Sequence, residues 1–95
     1  MGDRRPDRKT MQLCRQVQRA LSYAIGETGD DALLDVYVDD VQPAPDASRM
    51  LVSVHTQRDP LAVIQALDEH TGRLRSAVAE AITRRKAPEL AWQVV

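Results

Sequence analysis

The sequence predicts a small α+β domain in which helices pack on one face of a three-stranded sheet, in the order α-β-β-α-kink-α-β. The chain has 95 residues, enough for one modest core, so residues 1–95 are expected to form a single domain. Apolar residues recur at helical spacing in some stretches and alternate with polar ones in others. The only aromatic residues are Tyr23, Tyr37 and Trp92, so the core is expected to be aliphatic.

The first helix is predicted over residues 8–25, after a basic segment at 1–7 that is expected to be flexible. Its apolar side chains recur three and four residues apart, as on one face of an amphipathic helix: Leu13, Cys14, Val17, Ala20, Leu21 and Ala24. Gly26 is expected to end the helix, and residues 27–31 to form a loop. The single cysteine cannot form an internal disulfide, so Cys14 is expected to be a small buried residue.

Two antiparallel strands are predicted next, because two short alternating runs flank a turn that contains two prolines. In residues 33–41, apolar side chains alternate with the others: Leu34, Val36 and Val38 against Asp35, Tyr37 and Asp39. Residues 42–47 are expected to form the turn, and residues 50–55 alternate again. The last strand is predicted over residues 90–95.

A second helical stretch is predicted to begin at Asp59 and Pro60, because Asp caps free N–H groups and proline suits the first helical position. Gly72 interrupts this stretch and predicts a kink between two helices. The apolar residues at helical spacing are Leu61, Ile64, Leu67, Leu74, Val78, Ala81 and Ile82. The basic residues 84–86 are expected in the last turn, where cations suit the helix dipole, and Pro88 prevents continuation.

The charged residues are segregated along the chain, although the net charge is only −1. Residues 1–26 carry six Arg or Lys against two Asp, and residues 71–95 carry five against two carboxylates. Residues 27–48 carry seven carboxylates and no base. One region of the surface is therefore suited to phosphate, while another would repel it.

Several stretches of the sequence resemble the ribosome-binding factor A family, which has a type II KH-like fold. Residues 16–21 (QVQRAL) are similar to its first helix, and residues 46–54 (DASRMLVSV) to its turn into the second strand. Residues 71–78 (TGRLRSAV) and 84–90 (RRKAPEL) resemble its glycine break, its arginine-serine pair and its basic run before Pro-Glu-Leu. Family members carry Ala-x-Gly at the helix break, where this chain has His70, Thr71 and Gly72.

The resemblance implies an assembly factor that binds the small ribosomal subunit and its rRNA, aids late maturation and rRNA processing, and is often important in the cold. Other assembly factors are further expected partners. A KH-like domain binds RNA with backbone and cationic groups beside the helix break. The expected RNA-binding residues are therefore Arg73, Arg75, Arg84, Arg85, Lys86, Arg15, Arg19, Arg8 and Lys9. The acidic region leaves an alternative open, a KH-fold protein-interaction module that has lost RNA binding.

The sequence indicates no catalytic residues, no cofactor and no metal site. His55 and His70 are far apart in the sequence and lack ligand partners, so both are expected to have ordinary polar roles. Asp35, Asp39 and Asp40 have no base or nucleophile beside them and are expected to form a solvated face, with Asp35 and Asp39 together on one side of a strand.

Aromatic side chains offer little for base recognition in this sequence. Tyr37 could stack on a base, but packing on the strand is the favoured interpretation, and Trp92 is expected in the core. No secretory signal or membrane-spanning run is evident, so a cytoplasmic protein is expected. Since no exposed apolar stripe stands out, a monomer is expected.

Overall fold

Over residues 7–83 and 86–95, which the computed structural model describes, three α-helices pack on one face of a three-stranded sheet. The helices are α1 (Arg8–Glu27), α2 (Pro60–Glu69) and α3 (Thr71–Ala81), and the strands are β1 (Tyr37–Pro43), β2 (Arg49–His55) and β3 (Glu89–Val94). A 3-10 turn spans Asp31–Leu33. The predicted fold class and element order are confirmed. None of the helices in the described ranges is long and apolar enough to cross a membrane.

Five residues of the stripe predicted for α1 are buried, namely Leu13, Cys14, Val17, Leu21 and Ala24, and the sixth, Ala20, is half-buried. Ile25, which the prediction does not include, is buried as well. At its start the carboxylate of Asp7 accepts a hydrogen bond from the backbone N–H of Thr10, at 2.7 Å. The prediction that Gly26 ends the helix is wrong, because α1 continues to Glu27. The end is made by Thr28, whose hydroxyl donates to the carbonyl of Ile25 at 2.8 Å, and by Gly29 at φ +66°.

Strand β1 begins at Tyr37, later than predicted, and extends through Pro43 into the segment predicted as a turn. The residues before it form the 3-10 turn, capped by the carboxylate of Asp30, which accepts from the N–H of Ala32 at 3.0 Å. Leu34 consequently does not point into the core and is 67% exposed. Alternation in residues 33–36 therefore comes from a turn that buries Leu33, rather than from a strand.

Asp35 lies outside β1, so the predicted face shared by Asp35 and Asp39 on one strand is wrong. The carboxylate of Asp35 accepts hydrogen bonds from the hydroxyl of Thr56 and the backbone N–H of Gln57, both at 2.7 Å. These two contacts, in that order, hold the pKa of Asp35 below its ordinary value, with a further contribution from Arg58. The side chain thus connects the segment before β1 to the segment after β2.

The sheet has the order β1-β2-β3, with β1 antiparallel to β2, as predicted, and β3 parallel to β2. An extra residue at Asp39 shifts the register between Val38 and Asp40, so that both Val38 and Val41 are buried. The largest fully buried side chains of the described ranges are all aliphatic, as the composition predicts: Leu21, Met50, Leu67, Leu74, Val17, Val52, Val54, Val63 and Val78.

Helix α2 begins as predicted, with Pro60 in its first turn and the carboxylate of Asp59 accepting from the N–H of Leu61 at 3.2 Å. Its buried face is Val63, Ala66 and Leu67. Leu61, expected in the core, is 74% exposed because it lies two residues before Val63 and hence on the opposite side of the helix. In α3, Leu74 and Val78 are buried and Ile82 follows the helix end, whereas Ala81, also expected inside, is exposed.

The predicted break between the second and third helices is confirmed, but it lies at His70, which caps both the end of α2 and the start of α3. Gly72, from which the break is predicted, is the second residue of α3. Helix α3 ends at Ala81, so Lys86, expected in its last turn, is not part of the helix. Thr83, two residues after the helix end, has a left-handed φ of +51°, which does not continue the helix. Lys86 lies beyond this residue, and Arg84, Arg85 and the N-terminal residues 1–6 lie outside the described residues.

Candidate nucleic-acid interface

Most cations of the described ranges are carried by two helices that pack against each other, α1 and α3. The carboxylates of these two helices are only Glu27 and Glu80. Against them stand six cations, all of them among the residues predicted to bind RNA: Arg8, Lys9, Arg15, Arg19, Arg73 and Arg75. The helix pair therefore has an excess of positive charge.

Carboxylates dominate the 3-10 turn, β1 and the ends of α2. The cation nearest to this group in sequence, Arg58, is already paired: its Nε lies 3.8 Å from the carboxylate of Asp35, and its Nη1 donates to the carbonyl of Asp31 at 2.8 Å. The charge segregation seen along the sequence therefore also distinguishes the elements of the fold: the charge of α1 and α3 attracts a polyanion, and the charge of the acidic elements repels it.

Arg75 has a structural role in addition to its charge. Its Nε donates to the carbonyl of Pro88 at 3.2 Å and its Nη2 to the carbonyl of Ala87 at 3.0 Å, and the side chain is half-buried. These bonds hold the segment before β3 against α3. Lys86 is exposed and lines the same hollow as Arg75, so the structure brings these two cations together.

Arg73 is exposed at the start of α3, and its Nη2 donates to the carbonyl of Glu27 at 3.3 Å, at the end of α1. Arg15 and Arg19 are exposed on α1 but line two different grooves, one toward β1 and one toward α3. Arg8 and Lys9 are exposed in the first turn of α1. The predicted cations thus extend along the helix pair rather than converging on one point.

At the helix break, the ring Nε2 of His70 lies 3.0 Å from the carboxylate of Asp30, in the loop that follows α1. The N–H of Ala32, and then His70, hold the pKa of Asp30 below its ordinary value. Thr71 donates its hydroxyl to the carbonyl of Leu67 at 3.1 Å. An added Cβ at Gly72 would meet no heavy atom within 4 Å, so packing does not require glycine there.

Two exposed residues beside these cations are not among the predicted RNA-binding residues. Arg49, at the start of β2, lines a hollow of about 310 Å³ together with Thr71 and Arg75. Tyr23, on α1, is 72% exposed and lies in the groove between α1 and α3. The sequence feature that connects Tyr23 with the cations is its spacing from Arg19, because residues four apart on a helix lie on the same face.

The remaining aromatic residues and histidines do not form a binding platform. Tyr37 packs its ring 5.2 Å from the ring of His55 and is 54% exposed, while Trp92 is half-buried against the core. The indole N–H of Trp92 is buried without a hydrogen-bond partner in residues 7–83 and 86–95. Those same ranges contain no cluster of three His, Cys, Asp or Glu that could hold a metal ion.

The mixed three-stranded sheet, the helix break and the element order define a type II KH-like α+β domain. The structure is similar to the crystal structure of ribosome-binding factor A from Thermus thermophilus, with a TM-score of 0.83 and 28% identity over 90% of this chain and 93% of that chain. It is also similar to the T. thermophilus ribosome-binding factor A homology model fitted into the cryo-EM map of a 30S complex. That match has a TM-score of 0.75 and 28% identity, and it covers 88% of this chain and 92% of that chain.

No model of a known protein family matches the sequence. No curated protein is significantly similar to it. The structural comparisons nevertheless confirm the resemblance to ribosome-binding factor A that the sequence motifs indicate.

Proposed function

We propose that this protein is a ribosome assembly factor that binds the small ribosomal subunit and its rRNA and aids late maturation and rRNA processing. The observation that carries the proposal is the likeness to ribosome-binding factor A over 90% of the chain, together with the same likeness to a protein fitted into a 30S complex. In this proposal the protein acts by binding, as a cytoplasmic monomer without enzymatic activity, and contributes to adaptation to the cold.

The charge distribution of the described residues supports RNA as the partner. Helices α1 and α3 present six cations against two carboxylates, as a surface that meets phosphate requires. Contacts to phosphate position a protein on RNA without reading sequence, and the fold of the small subunit then decides where the protein sits. Arg15, Arg19, Arg73 and Lys86 are exposed and available for such contacts, and Arg84 and Arg85 extend the same set in sequence.

Co-sedimentation of two charge-matched variants with small subunits tests this assignment. The first variant, Arg15→Gln with Arg73→Gln, removes two exposed cations from the helix pair. The control, Gln57→Glu with Gln65→Glu, makes the same change in net charge at exposed positions near the acidic elements. The first variant is expected to bind more weakly and to reduce the slope of log affinity against log salt by about 1 per lost phosphate contact, whereas the control keeps the wild-type slope.

If both variants lose binding equally, only net charge matters and the helix pair is not the contact surface. If neither loses binding and the acidic elements prove sensitive instead, the protein-interaction alternative replaces RNA binding. Charge reversal by Arg73→Glu with Arg84→Glu is the stronger form of the test and is expected to abolish co-sedimentation.

A further inference from the structure

A shallow groove of about 640 Å³ runs between α1 and α3, within the size range of ligand pockets. Three alanines, Ala20, Ala77 and Ala81, contribute to its lining, and their small side chains leave the space between the two helices open. The larger lining residues are Gln16, Arg19 and Tyr23 from α1 and Glu80 from α3. The groove therefore combines a concave floor of methyl groups with an aromatic ring and groups of both charges.

Tyr23 is the most exposed of the large apolar side chains on α1, at 72%, and it lies in this groove. Its situation differs from that of Tyr37, whose ring already packs 5.2 Å from the ring of His55. Among the described residues, the ring of Tyr23 has no aromatic neighbour. A free aromatic face beside a cationic surface is the feature on which proteins stack the bases of single-stranded nucleic acid.

The charged groups around Tyr23 fit a nucleotide better than they fit an isolated phosphate. Arg19 is four residues before Tyr23 on the same helix, so its guanidinium is near enough to contact a phosphate attached to a stacked base. The carboxylate of Glu80 would repel a free phosphate, but it can accept a hydrogen bond from an amino group on a base edge. The excess of cations on α1 and α3 favours a polyanion as the bearer of that base.

We propose that the groove between α1 and α3 binds one unstacked base of single-stranded RNA. Tyr23 stacks on the base, Arg19 contacts the adjoining phosphate, and Glu80 accepts a hydrogen bond from the base edge. The site rests on the proposed RNA-binding function and adds to it a contact with a base, where the cations alone contact phosphate.

Binding of short fluorescent oligoadenylate, about ten nucleotides long, to the purified protein tests the site by fluorescence anisotropy across a salt series. Tyr23→Ala is expected to weaken binding by roughly 5- to 150-fold, the range that loss of one stacked base gives. The salt slope is expected to stay at the wild-type value, because no phosphate contact is lost. Tyr23→Phe keeps the aromatic face and is expected to bind like the wild type.

Two controls separate stacking from other effects. Tyr37→Ala removes the other exposed tyrosine, which lies outside the groove, and is expected to leave RNA binding unchanged. Inorganic polyphosphate carries charge without bases, so wild type and Tyr23→Ala are expected to bind it equally. Because Tyr23 is exposed, the thermal unfolding midpoint of Tyr23→Ala is expected to match that of the wild type.

The proposal is overturned if Tyr23→Ala binds oligoadenylate as tightly as the wild type, if Tyr23→Phe is as weak as Tyr23→Ala, or if Tyr37→Ala weakens binding to the same extent. If the wild-type protein co-sediments with small subunits but substitution of Tyr23 does not change RNA binding, the proposed base site is refuted and the proposed function stands. A wild-type protein that binds neither subunits nor RNA contradicts both.

Discussion

Replacement of Arg75 separates the structural use of a cation from its use in RNA binding. Its guanidinium donates two hydrogen bonds, to the carbonyls of Pro88 and Ala87, at 3.2 and 3.0 Å. A hydrogen bond with a charged partner contributes about 1.5–3 kcal/mol to the free energy of unfolding. The Arg75 side chain is only half-buried, so water competes for its two bonds and lowers their contribution. We therefore expect Arg75→Ala to lower the free energy of unfolding by about 2 kcal/mol in total.

For a domain of this size, a loss of about 2 kcal/mol corresponds to roughly 8–16 °C in the unfolding midpoint. Arg75→Lys keeps the charge but cannot reproduce the two-pronged contact, so we expect about half the loss of Arg75→Ala. Arg73→Ala removes one exposed bond of 3.3 Å and is expected to change stability by less than about 0.5 kcal/mol.

Urea unfolding followed by circular dichroism measures all three variants. If Arg75→Ala unfolds within about 0.5 kcal/mol of the wild type, the two bonds do not hold the segment before β3, and the structural role assigned to Arg75 is refuted. Loss of RNA binding by Arg75→Lys at full stability would instead assign this residue to the interface.

The remaining predictions concern the core, the thiol and the helix break. Leu67 is fully buried, so Leu67→Ala is expected to lower the free energy of unfolding in urea by about 2–5 kcal/mol. Leu61 on the same helix is 74% exposed, so Leu61→Ala is expected to lower it by less than about 0.5 kcal/mol. Equal losses for the two variants would contradict the assigned buried face of α2. Burial, and then the charge of Asp40, raise the pKa of the Cys14 thiol. A thiol reagent at pH 8 is therefore expected to react slowly with Cys14 in the folded protein and rapidly with the protein unfolded in urea. Equal reaction rates would show that the thiol is accessible in the folded protein. The pKa of Asp30 lies below its ordinary value of 3.8, so its contribution to stability is present above that pH and is lost as the pH falls through the folded value. Because His70 contributes to this lowering, His70→Ala should raise the pKa of Asp30 in an NMR titration of the carboxyl carbon; an unchanged value would show that the bond between them does not form in solution.

Local patterns predict most of the fold because the signals that begin, end and orient each element lie within a few residues of one another. The stripe of α1, the Asp59 cap and the break at His70 all follow from side-chain spacing or from adjacent residues. The start of β1 does not, since Asp35 is held by Thr56 and Gln57, more than twenty residues later. An alternating run cannot reveal such a long-range contact.

The candidate interface is predictable as a set of cations but not as a geometry. Sequence identifies Arg73 and Arg75 equally, yet one is exposed and the other is bound to carbonyls twelve and thirteen residues away. Sequence places Tyr23 on the same face of α1 as Arg19 and off the buried stripe, but it does not show that this face borders a groove. Only the packing of α3 beside α1 gives it a groove.

Co-sedimentation of the wild-type protein with purified small subunits, large subunits and whole ribosomes across a salt series tests the central claim most directly. The proposed function predicts binding to small subunits that weakens steeply as salt rises, with no comparable binding to large subunits. Absence of small-subunit binding at low salt, or equal binding to both subunits, would contradict it.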